Sequence, residues 1–239
     1  MRTVIKTAIG ERPASHFGHA YEVLAPAPAS LGQPDVSARE TWLARCEQIA
    51  VTADYSVFYE RWKQSFAPAG SRTREVGALS RLLIGHGNPS GSGVGLTVHH
   101  AWGVPVLPGS SLKGLVAHYI DAVYGAENPD EPERRAWRGP TWTGRRIAQG
   151  DGAGEHFAAL FGAPAVDGEE DSARRGFVEF HDALYVSGSA NGRPFARDVL
   201  TVHQKRYYDS QGREGPSDWD SPNPVGFLTV RTGARFLLA

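Results

Sequence analysis

Gly103-Val-Pro-Val-Leu-Pro-Gly-Ser-Ser-Leu-Lys-Gly-Leu-Val-Ala-His-Tyr-Ile-Asp-Ala-Val123 is the stretch on which the reading of this chain turns. Val104 to Leu107 has β character, Pro108-Gly109 interrupts it, and Ser110-Ser111 places hydroxyls at a helix start. From there Leu112, Leu115, Val116, Tyr119, Ile120 and Val123 recur in steps of three and one, the pattern of one face of a 3.6-residue period. A strand, an abrupt turn and an amphipathic helix in direct succession point to an α+β fold.

Upstream, Leu82, Leu83 and Ile84 read as a short buried strand entering Gly85-His86-Gly87-Asn88-Pro89-Ser90-Gly91-Ser92-Gly93-Val94-Gly95, the most loop-like segment of the chain. Thr97 to His100 and Val104 to Leu107 then resemble a short β-ribbon. Farther back, Ser37 and Glu40 stand at capping-box spacing before Trp42, Leu43, Cys46 and Ile49, which predicts a helix over 38–50. A second helix carries Tyr55, Phe58, Tyr59, Trp62 and Phe66 as an aromatic stripe, read as core or partner interface rather than a base-stacking platform. Residues 1–36 are rich in Ala, Pro and Gly without a sustained period and read as an extended arm of the kind that wraps a neighbour.

Downstream, five arginines (Arg134, Arg135, Arg138, Arg145, Arg146) gather in a loop-rich stretch, followed by an acidic run from Asp167 to Asp171. Phe177 to Val186, Asp198 to Tyr208 and Val225 to Ala239 contain strand-like runs, so the C-terminal half is expected to be mainly β. The expected layout is an N-terminal arm and helical extension over 1–77 and one α+β domain with long loop insertions over 78–239.

Composition limits the function. With 239 residues, 41% of them hydrophobic, and 6 Trp, 8 Tyr and 10 Phe, the chain can bury a real core, which excludes wholesale disorder. Its 25 Lys and Arg against 26 Asp and Glu leave a net charge of −1, so polyanions are not held by bulk charge and any nucleic-acid site must be a local patch. The single Cys46 supports neither a disulfide framework nor a cysteine zinc cluster. The N-terminus lacks an apolar targeting core and no apolar run approaches membrane-spanning length, so the expected location is the cytoplasm, with no membrane partner.

Four segments carry candidate chemistry. The glycine-rich loop, with His86 and Asn88 in it, matches neither nucleotide-binding fingerprint, because a β-like segment rather than a helix follows; it reads either as a plain connector or as a loop beside an extended polyanion. Ser110, Ser111 and Lys113 could meet a backbone phosphate at the positive end of the helix, or the serines could simply cap it. Ser110-x-x-Lys113 has the spacing of some acyl-transfer enzymes, but their companion motifs are missing. His203, Lys205, Arg206, Tyr207 and Tyr208 combine cations and aromatics as single-strand RNA grooves do, with strand alternation splitting them between two faces. Gly176-Phe177-Val178-Glu179-Phe180 resembles part of an RNP1 pattern but reads as a core strand. The nine histidines show no metal-ligand spacing, and neither a metal nor a cofactor is expected.

Leu83-Ile84-Gly85-His-Gly-Asn-Pro89, followed by Gly103-Val-Pro-Val-Leu-Pro108-Gly109-Ser110-Ser111-Leu112-Lys113-Gly114, resembles the signature of the RAMP superfamily, the RNA-binding subunits of CRISPR effectors. Asp198-Val-Leu-Thr201-Val-His203, Tyr207-Tyr208 and Asp218-Trp219-Asp-Ser-Pro222-Asn-Pro224 extend the likeness toward the sixth-subunit family of the Cmr (type III-B) complexes, over roughly 78–239. The resemblance implies a ferredoxin-like (RRM-like) core whose first helix opens at Pro108. It also implies a non-catalytic scaffold at the capping end of the complex that holds the 3′ part of the crRNA, in antiviral defence. Partners would be crRNA, target RNA and other Cmr or RAMP subunits. The family's closing helix and glycine-rich strand find no counterpart before Arg235-Phe-Leu-Leu-Ala239, so the second part of that fold is expected to be missing. The rival reading is a stand-alone enzyme, either a Ser110/Lys113 hydrolase or a metal-dependent ribonuclease using His86, His203 and Asp198.

Overall fold

The computed structural model describes residues 15–26, 36–67, 70–90, 93–125, 131–202, 204–217, 219 and 221–239. Its elements in chain order are α1 (Val36–Glu47), α2 (Ala53–Gln64), β1 (Arg74–Gly77), β2 (Val106–Leu107), α3 (Gly109–Tyr124), α4 (Pro132–Arg135), α5 (Glu155–Phe161), β3 (Gly162–Ala163), β4 (Arg174–Arg175), β5 (Ala183–Tyr185), β6 (Phe195–Val202), α6 (Lys205–Asp209), β7 (Asn223–Val230) and β8 (Arg235–Leu238). The fold is α+β. A four-stranded sheet has the order β1-β8-β5-β2, β6 pairs β7 antiparallel from Phe195↔Val230 to Val202↔Asn223, and β3 pairs β4. The chain forms two compact units, residues 1–106 with 184–238 and residues 107–183 with 239.

The first unit is built around stacked aromatic rings. Phe17 lies on Phe195 at 3.7 Å and on Tyr21 at 5.4 Å, and Tyr21 lies on Trp42 at 5.2 Å. Their polar tips are satisfied: Tyr21 donates to the Val94 carbonyl and Trp42 Nε1 to the Ala20 carbonyl, each at 2.8 Å. Buried aromatic rings supply most of the apolar area here, and pairing each tip removes the desolvation penalty. Cys46 closes this core, where burial pushes its thiol up to about 12. Of the α2 stripe, Tyr55 and Tyr59 are core and Phe58, Trp62 and Phe66 are half-buried: Tyr55 donates to the Tyr185 carbonyl at 2.5 Å, while Phe58 stacks on Trp102 at 5.1 Å.

A hydrogen bond and ion pairs fasten α1 to the β6–β7 ribbon and the arginine that follows it. Arg39 donates to the Gly226 carbonyl at 2.9 Å, and Glu47 accepts from Arg197 at 3.0 Å and Arg231 at 3.2 Å. Burial works against the charged form of Glu47, but its hydrogen bonds to Arg197 and the charge of both arginines prevail and hold its carboxyl below the ordinary value.

Several expectations change. Within the supposed N-terminal arm, residues 1–14 and 27–35 lie outside the described residues, but Phe17, Ala20, Tyr21 and Ala25 are buried core, carried on a π-helical turn over His19–Val23. The apolar residues of that part pack into this unit's own aromatic stack. The first helix begins at Val36, so Ser37 lies inside it rather than ahead of it, and Glu40 approaches Arg197 at 3.9 Å. Leu82 makes only an isolated bridge to Val230, and of Phe177 to Val186 only Ala183–Tyr185 is strand, with Phe177 88% exposed. The RNP1-like run is therefore not a core strand. Among the described residues no helix is long and apolar enough to cross a membrane.

Candidate nucleic-acid interface

Two glycines close the neck of the 85–95 loop. Gly85 has φ +80°, and a Cβ there would lie 2.2 Å from Thr97 Oγ1; a Cβ at Gly95 would lie 2.2 Å from the Gly85 carbonyl oxygen. The backbones meet face to face, Thr97 N–H donates to Ile84 at 2.8 Å, and Asn88 N–H donates to Gly85 at 2.9 Å. The pattern of glycines thus serves close approach at the neck, and His86 and Asn88 are left exposed beyond it. Gly91 and Ser92 lie outside the described residues.

At the start of α3, Pro108 occupies the cap position and no side chain caps the helix, so the serines are not its caps. Gly109 is needed for a different reason: a Cβ would sit 2.1 Å from the Phe180 carbonyl oxygen. Its N–H donates to Asp182 Oδ1 at 2.7 Å. That carboxylate already sits at the positive end of the helix, and Ser110 and Lys113 are exposed beside it.

Beyond Val202 the strand stops. Gln204 adopts φ +68° and Lys205–Asp209 forms a short helix, so the strand alternation expected for 205–208 is wrong. A left-handed residue cannot continue a β-ladder, and one helical turn instead sets Tyr207 and Tyr208 edge to face at 5.4 Å. Arg206 is exposed and Tyr208 is 65% exposed. His203, Asp218, Asp220 and the side chain of Lys205 lie outside what the structure describes. Asp198 faces Arg81 at 3.8 Å, and among the described residues no group of three His, Cys, Asp or Glu is placed to hold a metal.

The expected site residues fall into both units. His86, Asn88, Arg206 and Tyr207 belong to the first, Ser110, Ser111 and Lys113 to the second. Charge divides as well: the first unit's sequence has 17 Lys and Arg against 13 Asp and Glu, the second 8 against 13. The first unit, to which the loop and the 203–208 segment belong, therefore carries the excess of cations in its sequence, although the loop itself holds no Lys or Arg.

The second unit also holds what the sequence did not single out. Ser110 and Lys113 line two clefts at once. One, of about 420 Å3, is walled by Trp142, Phe157 and Phe161 with His118 and Asp121. The other, of about 410 Å3, is lined by Arg175, Phe180 and His181. Phe161 and Phe180 stack at 6.0 Å. No local spacing links residues spread from 110 to 181, so sequence reasoning had no signal for them.

The family pattern described as RAMPs, the RAMP superfamily, matches residues 76–230, and the chain belongs to that superfamily. The match takes in the loop, the α3 start and the β6–β7 ribbon. More particularly, the chain is similar to the CRISPR system Cmr subunit Cmr6 of Pyrococcus furiosus, 26% identical over 209 residues, 77% of this chain and 62% of that protein. It therefore spans about three-fifths of that relative's length. Among solved structures it is similar in fold to a chain of the type III-B Cmr-beta assembly bound to cognate target RNA, with a TM-score of 0.53 and 19% identity over 83% of this chain and 57% of that one. A crystal structure of Cmr6 from Pyrococcus furiosus superposes at a TM-score of only 0.28, with 23% identity over 70% of this chain and 82% of that one, and carries no argument.

Proposed function

We propose that this chain is an RNA-binding and assembly subunit of a type III-B (Cmr) CRISPR effector, built on a ferredoxin-like core, that holds the 3′ part of the crRNA at the capping end of a cytoplasmic complex. It performs no chemical step in this reading; crRNA, target RNA and other Cmr subunits are its partners. The observation that carries the reading is the extent of the family match, 76–230, which takes in each of the exposed segments with RNA-compatible chemistry. The likeness to Cmr6 supports the choice of complex. The physical support is the net-positive first unit, in which a glycine-necked loop presents His86 and Asn88 and a short helix presents Arg206, beside Tyr207. Such contacts follow the sugar-phosphate backbone and are therefore salt-sensitive.

The test is guide retention by a complex reconstituted with the full chain. Lys205→Ala/Arg206→Ala and Lys113→Ala should each weaken crRNA retention, more so as salt rises. Unchanged retention in both would refute the contact surface. Metal-dependent RNA cleavage by the purified chain, abolished by His203→Ala, would instead establish the enzyme reading.

A further inference from the structure

We infer that the paired clefts of the second unit take one unstacked nucleotide of a bound RNA strand, with the base against Trp142, Phe157 and Phe161 and the phosphate by Lys113, Arg175 and His181. This rests on the RNA-binding reading above and adds to it a pocket and a mode of binding. The first cleft is aromatic and of ligand size: about 420 Å3 lies within the roughly 300–1,000 Å3 typical of small-molecule sites. Phe157 and Phe161, tilted at 52° with centroids 4.8 Å apart, form the buried floor of the cleft, while Trp142 is 56% exposed and offers the ring face on which an entering base can lie. Every base has a π-face, so such a wall accepts a base without reading its sequence.

The second cleft supplies what a phosphate needs. Ser110 and Lys113 line both clefts, so the two adjoin at the first turn of α3, and a nucleotide with its base in the first has its phosphate beside those two residues. Arg175 pairs with Glu179 at the surface, with side chains 84% and 64% exposed. Water already screens that pair, so a phosphate can take the guanidinium in two-pronged fashion. Asp182, bound to the Gly109 N–H, keeps an anion off the helix axis and leaves these lateral cations as its partners. Asp121 Oδ1 is held by the Gly139 N–H at 2.7 Å, which fixes the cleft's edge. The acidic balance of the unit, 8 cations against 13 anions, disfavours a long backbone track across it and suits a contact one nucleotide long.

The test uses the full chain and short single-stranded RNAs carrying one photoreactive thiouridine at each position in turn. One register should crosslink to the segment around Trp142 or to α3. Trp142→Ala should weaken RNA binding about five- to a hundredfold, as expected for one lost stacked base, and Trp142→Phe should restore most of it. If RNA binds but crosslinks only to the first unit, and Trp142→Ala binds as tightly as the parent, the pocket is refuted and the RNA-binding reading survives. If the chain retains no RNA under any condition, both fall.

Discussion

Helix α2 in the first unit and α3 in the second both carry apolar residues at helical spacing and end in opposite environments. Tyr55 and Tyr59 of α2 are 0% and 2% exposed, whereas Leu115, Tyr119 and Val123 of α3 are 67%, 56% and 49% exposed. The first unit has rings waiting for α2, among them Trp102 at 5.9 Å and Tyr185 at 6.4 Å from Tyr55. In the second unit, the buried apolar residues among those described are Ile147, Phe157, Ala158, Phe161 and Ala183, and α3 turns Lys113, His118 and Asp121 toward the cleft beside them. Periodicity fixes that a helix forms and which side is apolar; whether that side is buried depends on what the rest of the unit supplies.

Substitutions can break or sharpen this contrast. Tyr55→Ala removes a fully buried ring and leaves the Tyr185 carbonyl without its donor, so urea unfolding of the full chain should show a loss of about 3–5 kcal/mol. A loss near zero would put α2 on the same footing as α3. Gly109→Ala forces a Cβ against the Phe180 carbonyl and should destabilise the second unit by about 1–3 kcal/mol, seen as faster proteolysis within 107–183 and little change elsewhere.

The α1 ion pairs add a pH dependence. Because the Glu47 carboxyl titrates below its ordinary value of about 4.3, the stability it contributes is complete above that pH and is lost as pH falls through the lower folded value. Glu47→Gln should therefore cost about 1–2 kcal/mol near neutrality, and the gap to the parent protein should close in acid. A gap that stays constant down to acid pH would mean that packing, not charge, holds α1 to the ribbon. The smallest effect belongs to α3: Leu115→Ser on its exposed face should change stability by no more than about 0.5 kcal/mol.

Much of the fold is legible in the residues. Pro108-Gly109 and the six apolar positions after it give α3 over Gly109–Tyr124, and the aromatic spacing gives α2 as a core helix. The buried part of the N-terminus is not legible: Phe17, Ala20, Tyr21 and Leu24 stand at helical spacing, but for little more than one turn and among Ala, Pro and Gly, too short to show a sustained period. Residues 205–209 form a helix of one turn, too short to show a period, and the break at Gln204 depends on a backbone angle that no residue pattern announces. Of the candidate site, the exposure of His86, Asn88 and Arg206 follows from loop and turn composition. The clefts do not, because Trp142 and Phe161 of one, and Arg175 and His181 of the other, come beside Ser110 and Lys113 only after α5 packs on α3 and the β3–β4 ribbon packs on α5.

The central claim is that this chain holds RNA through its backbone, and the salt dependence of single-stranded RNA binding by the full chain tests it most directly. The slope of log affinity against log salt should be about −0.7 per phosphate neutralised, and Lys205→Ala/Arg206→Ala should make it shallower by about 1.4 while Leu115→Ser leaves it unchanged. Binding that is indifferent to salt, or a slope identical in the parent and the double variant, would contradict the account.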